Sequence, residues 1–174
     1  MKYVFISITV IAIFIASVVL YKRRQMERRK YYDAADRMVK EEYLEDVLGN
    51  NSAESYYPVI VPMLYINLYK PKPQQKYVFD PEKGVTIGRS KSENTIWLPK
   101  PTISMKHCSI CVCEGRVYIQ DEYSMNGTCV KKGRKKYQLM DGNRIELESG
   151  DRFYIDDVAF KVTIFYFQAM KRCR

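Results

Sequence analysis

The sequence has little of what catalysis usually needs. It holds one histidine in 174 residues, so triads and most metal sites have few groups to draw on. It has no phosphate loop ending in Gly-Lys-Ser/Thr, no His-Glu-x-x-His and no Gly-x-Ser-x-Gly. The chain therefore reads as a non-enzyme with no cofactor and no metal. Cysteine is sparse as well. There are five cysteines, an odd number without the spacing of a secreted disulfide framework, which favours a reducing compartment. No internal repeat or low-complexity segment is visible. Only one long apolar run occurs, at the N-terminus.

That run, Tyr3 to Tyr21, is relieved only by Ser7, Thr9 and Ser17. A membrane-spanning helix needs about 20 such residues. A cleaved signal peptide has a shorter apolar core and a small-x-small cleavage site, and none precedes Lys22. Residues 1–21 are therefore expected to be a transmembrane anchor. Lys22, Arg23, Arg24, Arg28, Arg29 and Lys30 follow, against Glu27 alone. This asymmetry predicts a single-pass protein of the cell membrane with its C-terminal domain in the cytoplasm. It also predicts contact between Lys22–Lys30 and anionic lipids.

The formal net charge is +9, carried in blocks: the one after the apolar run, one at 131–136 and the C-terminal tail. Such blocks suit anionic partners. Lys131, Lys132, Arg134, Lys135 and Lys136 lack the interleaved aromatics of a single-strand binder, so no nucleic acid is expected.

Residues 22–49 lack proline and have glycine only at the end. A stripe of Tyr32, Ala35, Val39, Tyr43 and Val47 recurs at helical spacing. This predicts a charged juxtamembrane helix, solvated and continuing the membrane span, or else a spacer or stalk. Gly49-Asn50-Asn51 ends it. A linker is expected over 50–59, a β domain over 60–167 and a basic tail over 168–174. Within the domain, short alternating runs are separated by turns such as Glu114-Gly115, Lys132-Gly133, Asp141-Gly142 and Ser149-Gly150. This pattern predicts an all-β sandwich or small barrel.

Loops between these runs carry Gly88-Arg89-Ser90, Ser104-Met105-Lys106-His107 and Asp121 followed by Ser124-Met125-Asn126-Gly127-Thr128. Arg89 can offer a planar fork to phosphate oxygens. Ser104 can donate a hydroxyl, and the Asn126 amide can clamp a peptide backbone. In order and spacing these pieces resemble the forkhead-associated (FHA) domain, as does Leu139-x-Asp141-Gly142-x-x-Ile145-x-Leu147-x-x-Gly150-Asp151. The resemblance covers roughly 60–167. It implies a β-sandwich of about eleven short strands that binds phosphothreonine peptides, here in a membrane-anchored bacterial-type FHA protein. By this resemblance Arg89, Ser104 and Asn126 hold the phosphopeptide, flanked by Ser90, Met105, Lys106 and Met125. Gly88, His107, Gly127 and Thr128 support the site.

The implied function is recruitment of a protein phosphorylated by a Ser/Thr kinase. Met105 and Met125 stand where the family often has polar residues. The alternative is therefore a phosphate-independent membrane scaffold with a degenerate site. Cys108-x-x-Cys111-x-Cys113 offers zinc ligands only superficially, because a strand turns Cys108 away from the other two.

Overall fold

Alternating apolar positions in the C-terminal two-thirds form eleven strands in a computed structural model. It describes the backbone of residues 2–49, 56–71 and 73–172, with side chains from Ile8 to Leu48 and from Tyr56 to Lys171, Lys72 excepted. The elements are α1 (Lys2–Gly49), β1 (Tyr56–Lys70), β2 (Gln75–Phe79), β3 (Val85–Gly88), β4 (Ile96–Trp97), β5 (Cys108–Cys113), β6 (Arg116–Asp121), β7 (Thr128–Lys132), β8 (Lys135–Leu139), β9 (Arg144–Glu146), β10 (Arg152–Ile155) and β11 (Val158–Arg172). One sheet has the order β2-β1-β11-β10-β7-β8, the other β4-β3-β5-β6-β9.

The sandwich core is made by side chains at alternate strand positions. Leu64, Ile66, Ile87, Ile110, Ile119, Val130, Phe153, Ile155, Phe160 and Val162 are all buried in one cluster. The rings of Phe153 and Phe160 stack 4.5 Å apart at its centre. Burying each large side chain contributes about 1.5–3 kcal/mol. Cys108 lies in this core beside Ile110, and burial pushes its thiol pKa up. Cys111 and Cys113, two and four places on from Ser109, alternate to the other face and are partly exposed.

Strands β1 and β11 are longer than the sequence pattern implies. They pair from Tyr56↔Arg172 to Lys70↔Ala159, so residues 56–59 of the expected linker and 168–172 of the expected tail are strand. Pro58 and Pro62 do not stop β1, because β2 pairs only with Leu64–Leu68. Before Leu64 one side of β1 is an edge, where proline is tolerated.

The charged helix is solvated on one side only, and here the structure corrects the expectation. Tyr31 and Ala35 are buried against Val61, Met63, Phe165 and Ala169, with Met38, Val39 and Tyr65 packed around them. The Tyr31 ring lies 4.9 Å from that of Tyr65 and 4.7 Å from that of Phe165. Of the expected stripe, Ala35 and Val39 face the sheet, whereas Val47 stays exposed. The cause is that β1 and β11 are apolar on both faces. Their inner residues fill the sandwich, and their outer residues need a second cover.

No helix among the described residues is long and apolar enough to cross a membrane. The first part of the expected anchor, residues 1–7, lies outside the described side chains. The remaining Ile8–Tyr21 spans only about 21 Å of helix.

Candidate functional site

Three loops meet at one end of the sandwich: 89–95 after β3, 98–107 before β5 and 122–127 before β7. They are laced together through four consecutive residues of the middle loop. The Thr102 carbonyl accepts from Asn126 Nδ2 at 2.8 Å. The Ile103 carbonyl accepts from Arg89 Nε at 3.1 Å. The Ser104 carbonyl accepts from the Arg89 backbone N–H at 2.9 Å, and the Met105 carbonyl from that of Ser90 at 3.2 Å. Asn94 Nδ2 donates to the same Met105 carbonyl, 2.6 Å away, and to that of Ser90 at 2.7 Å.

This lacing orients the polar groups. Arg89 is exposed, and its guanidinium is held only by Nε, so both terminal amines have no partner among the described residues. They form a fork suited to two oxygens of one anion. Ser104 Oγ accepts from the Met125 backbone N–H at 3.1 Å. With that lone pair used, its own O–H is left to donate outward. Asn126 uses Nδ2 on Thr102, which leaves its Oδ1 to accept from a backbone N–H.

Two buried groups hold this frame. His107 is fully buried. Its Nδ1 accepts from the Ser104 N–H at 3.3 Å, and its Nε2 lies 3.0 Å from the Gly127 carbonyl. A carbonyl only accepts, so the network assigns the proton to Nε2. The ring thus ties the serine loop to the asparagine turn. Asp121 is also fully buried. It accepts from Ser124 Oγ at 2.6 Å, the Ser124 N–H at 3.0 Å and Thr128 Oγ1 at 3.1 Å. This carboxylate sets both ends of the turn that presents Asn126.

The glycines are required by contact. A Cβ at Gly88 would lie 2.2 Å from the Met105 carbonyl oxygen. Gly127 has φ +70, and a Cβ there would lie 2.6 Å from the Leu139 carbonyl.

The remaining expected site residues take plainer positions. Met105 is 57% and Met125 84% exposed. The loop uses Met125 through its backbone, so the side chain there is unconstrained. Ser90 Oγ lies 3.3 Å from Ser92 Oγ, and Lys106 is exposed. Lys91 sits over the Trp97 ring, 5.4 Å from its centroid. The sequence reading passed over Asn94, Thr102 and the role of Asp121. Asp121 gave a usable signal, a carboxylate three residues before a serine, the spacing of a capped turn. Asn94 gave none, since its partners are set by tertiary contact.

The basic hairpin is elsewhere. Thr128 pairs with Leu139 at the site end, and Lys132 with Lys135 at the other. Four steps along the strand put about 13 Å between them, roughly one and a half Debye lengths at physiological salt. Lys132 is not a free charge. It pairs with Glu148 at 3.2 Å and the buried Asp151 at 3.4 Å. Burial works against its ammonium, but these carboxylates outweigh it and hold its pKa above the ordinary value. Replacing Lys131, Lys135 and Lys136 by serine is therefore expected to leave ligand affinity nearly unchanged at physiological salt, measured by titration. A loss comparable to that from removing Arg89 would place the hairpin in the site.

A family model for the FHA domain matches residues 85–156. No curated protein matches the sequence. Among solved structures, the FHA domain of an Arabidopsis thaliana hypothetical protein is 24% identical, with TM-score 0.54, over 66% of this chain and 93% of its own. The FHA domain of CT664 from Chlamydia trachomatis is 20% identical, with TM-score 0.48, over 58% of this chain and 96% of its own. Mycobacterium tuberculosis EmbR, solved in complex with a low affinity phosphopeptide, is 23% identical with TM-score 0.48. The match covers 58% of this chain and 24% of EmbR. The Arabidopsis likeness carries the fold. Helix α1 and strands β1, β2 and β11 all lie outside the 85–156 match.

Proposed function

We propose that this chain, whose residues 85–156 match an FHA domain, is a non-catalytic phosphothreonine reader that recruits or scaffolds a modified protein at the cytoplasmic face of a membrane. The observation that carries the reading is the lacing of residues 102–105. It leaves the terminal amines of Arg89, the Ser104 hydroxyl proton and Asn126 Oδ1 without partners among the described residues, on three fixed loops. A phosphate has the charge and the acceptor oxygens to use the first two, and a peptide backbone N–H suits the third. A Ser/Thr kinase must supply the ligand.

The anchor reading is supported by α1. From Ile8 to Tyr21 its large apolar side chains are exposed on every side, and a helix apolar all round needs lipid or protein to cover it. The block Lys22–Lys30 then sets the orientation. Protease added to intact cells is expected to spare residues 56–172. Digestion from outside would reverse the orientation and separate the domain from cytoplasmic kinases.

The functional test is a phosphothreonine peptide-library screen on the full chain in detergent, repeated after phosphatase treatment of the library. Capture is expected to be lost with the phosphate. Undiminished capture would favour the phosphate-independent scaffold, for which exposed Met105 and Met125 would be the contact residues.

A further inference from the structure

We infer that α1 turns the peptide-binding end of the sandwich toward the bilayer, so that the phosphothreonine it reads lies in the juxtamembrane segment of another membrane protein. The inference rests on the anchor and site proposed above. What it adds is their relative direction.

The two ends of the sandwich are defined by contacts. Strand β3 runs into Arg89, so the site lies at its C-terminal end. Lys70 and the turn that follows lie at that same end: Pro71 and Pro73 line one recess with Trp97, Leu98 and Lys100. The β10–β11 turn is there too, since Thr102 Oγ1 donates to Asp156 at 2.8 Å and Lys100 pairs with Asp157. Tyr56 and Arg172 mark the far end.

Helix α1 runs antiparallel to β1 between these ends. Glu27 pairs with Lys76, which is opposite Asn67. Tyr31 lies against Tyr65, and Tyr43 against Tyr56 with rings 4.9 Å apart. Glu42 pairs with Lys83 at 2.9 Å, beyond the far end of β2. The N-terminal part of the helix therefore points past the site end, not away from it.

The lengths match closely. From Glu27 back to Tyr21 is about 9 Å of helix. From Asn67 to Lys70 is about 10 Å of strand. The exposed apolar surface of α1 thus begins level with the end of the sandwich that carries the three loops. The helix is unbroken over Lys2–Gly49, and Tyr31 and Ala35 clamp it to the sheet. The domain is not a bead on a flexible tether. The loops also suit an interface, since they carry Tyr123 and Met125, 76% and 84% exposed, and the exposed cations Lys91 and Lys106. A site pressed toward head groups is closed to a bulky soluble partner. It is open to a chain emerging from the same bilayer.

The test uses the full chain in vesicles of neutral and anionic lipid. A library-selected phosphothreonine peptide is presented in three ways: free, on a lipid tether of about five residues, and on one of about twenty. Five extended residues reach about 17 Å. The short and long tethers are expected to bind within about threefold of each other. Trp97, the one tryptophan of the sequence, is also expected to transfer its excitation to dansyl-labelled head groups far better than the Trp97→Phe, Tyr57→Trp variant, whose donor sits at the far end. If the free peptide binds while the short tether fails, or the far-end donor transfers more, the orientation is overturned and the site reading stands. If the free peptide fails too, the site reading falls and this inference with it.

Discussion

Replacing Arg89 by alanine is expected to lower affinity for a phosphothreonine peptide at least about tenfold and to take most ligands below detection. A hydrogen bond to a charged group contributes roughly 1.5–3 kcal/mol, and each 1.4 kcal/mol is about a factor of ten. The fork offers two such bonds. Stability is expected to change little, because Arg89 is exposed and its backbone N–H keeps its bond to Ser104. Arg89→Lys keeps the charge but loses both the planar fork and the Nε bond to Ile103, so it is expected to recover only part of the affinity. Calorimetric titration with a parallel thermal melt separates the two effects. A folded Arg89→Ala protein that binds normally would remove Arg89 from the site.

Asp121→Ala is expected to act on both stability and binding. It strips the partner from the Ser124 hydroxyl, the Ser124 N–H and the Thr128 hydroxyl, all in a region where Ser124 and Thr128 are buried. An orphaned buried donor costs about 1–3 kcal/mol, so the total is about 3 kcal/mol or more. For a domain of little more than about 100 residues that is a fall in Tm of roughly 10 °C or more. Peptide affinity is expected to fall as well, since the turn carrying Asn126 loses its anchor. Asp121→Asn keeps an oxygen for the two hydroxyls but sets an N–H₂ against the Ser124 N–H, and an intermediate loss is expected. Denaturant unfolding measures all three proteins. An unchanged midpoint in the alanine variant would show that the carboxylate does not organise the turn.

The loops that carry the candidate site were more legible in the sequence than the contacts that hold them. That Arg89, Ser104 and Asn126 lie on neighbouring loops could be read because short loops carry them between alternating runs, and the structure brings those loops to one end. The strand turns were legible for the same local reason. Cys108 could be assigned to the core by strand alternation alone. What was not legible depends on distant packing. The Asn94 bridge to Met105 and the Lys132 ion pair with Asp151 join residues far apart in sequence. Helix α1 shows the limit best. Its stripe was visible, but the surface that covers it comes from β1 and β11. The clue lay in those strands: Val61-Pro62-Met63-Leu64-Tyr65-Ile66 is apolar on both faces, so it has to be covered twice.

Phosphate dependence itself is tested most directly by titrating the full chain with one peptide in two forms, threonine and phosphothreonine, at physiological salt. The phosphothreonine form is expected to bind at least about a hundredfold more tightly, because about two charge-assisted bonds are gained with the phosphate. Equal affinity for the two forms would contradict a phosphothreonine reader and leave a phosphate-independent docking domain in its place.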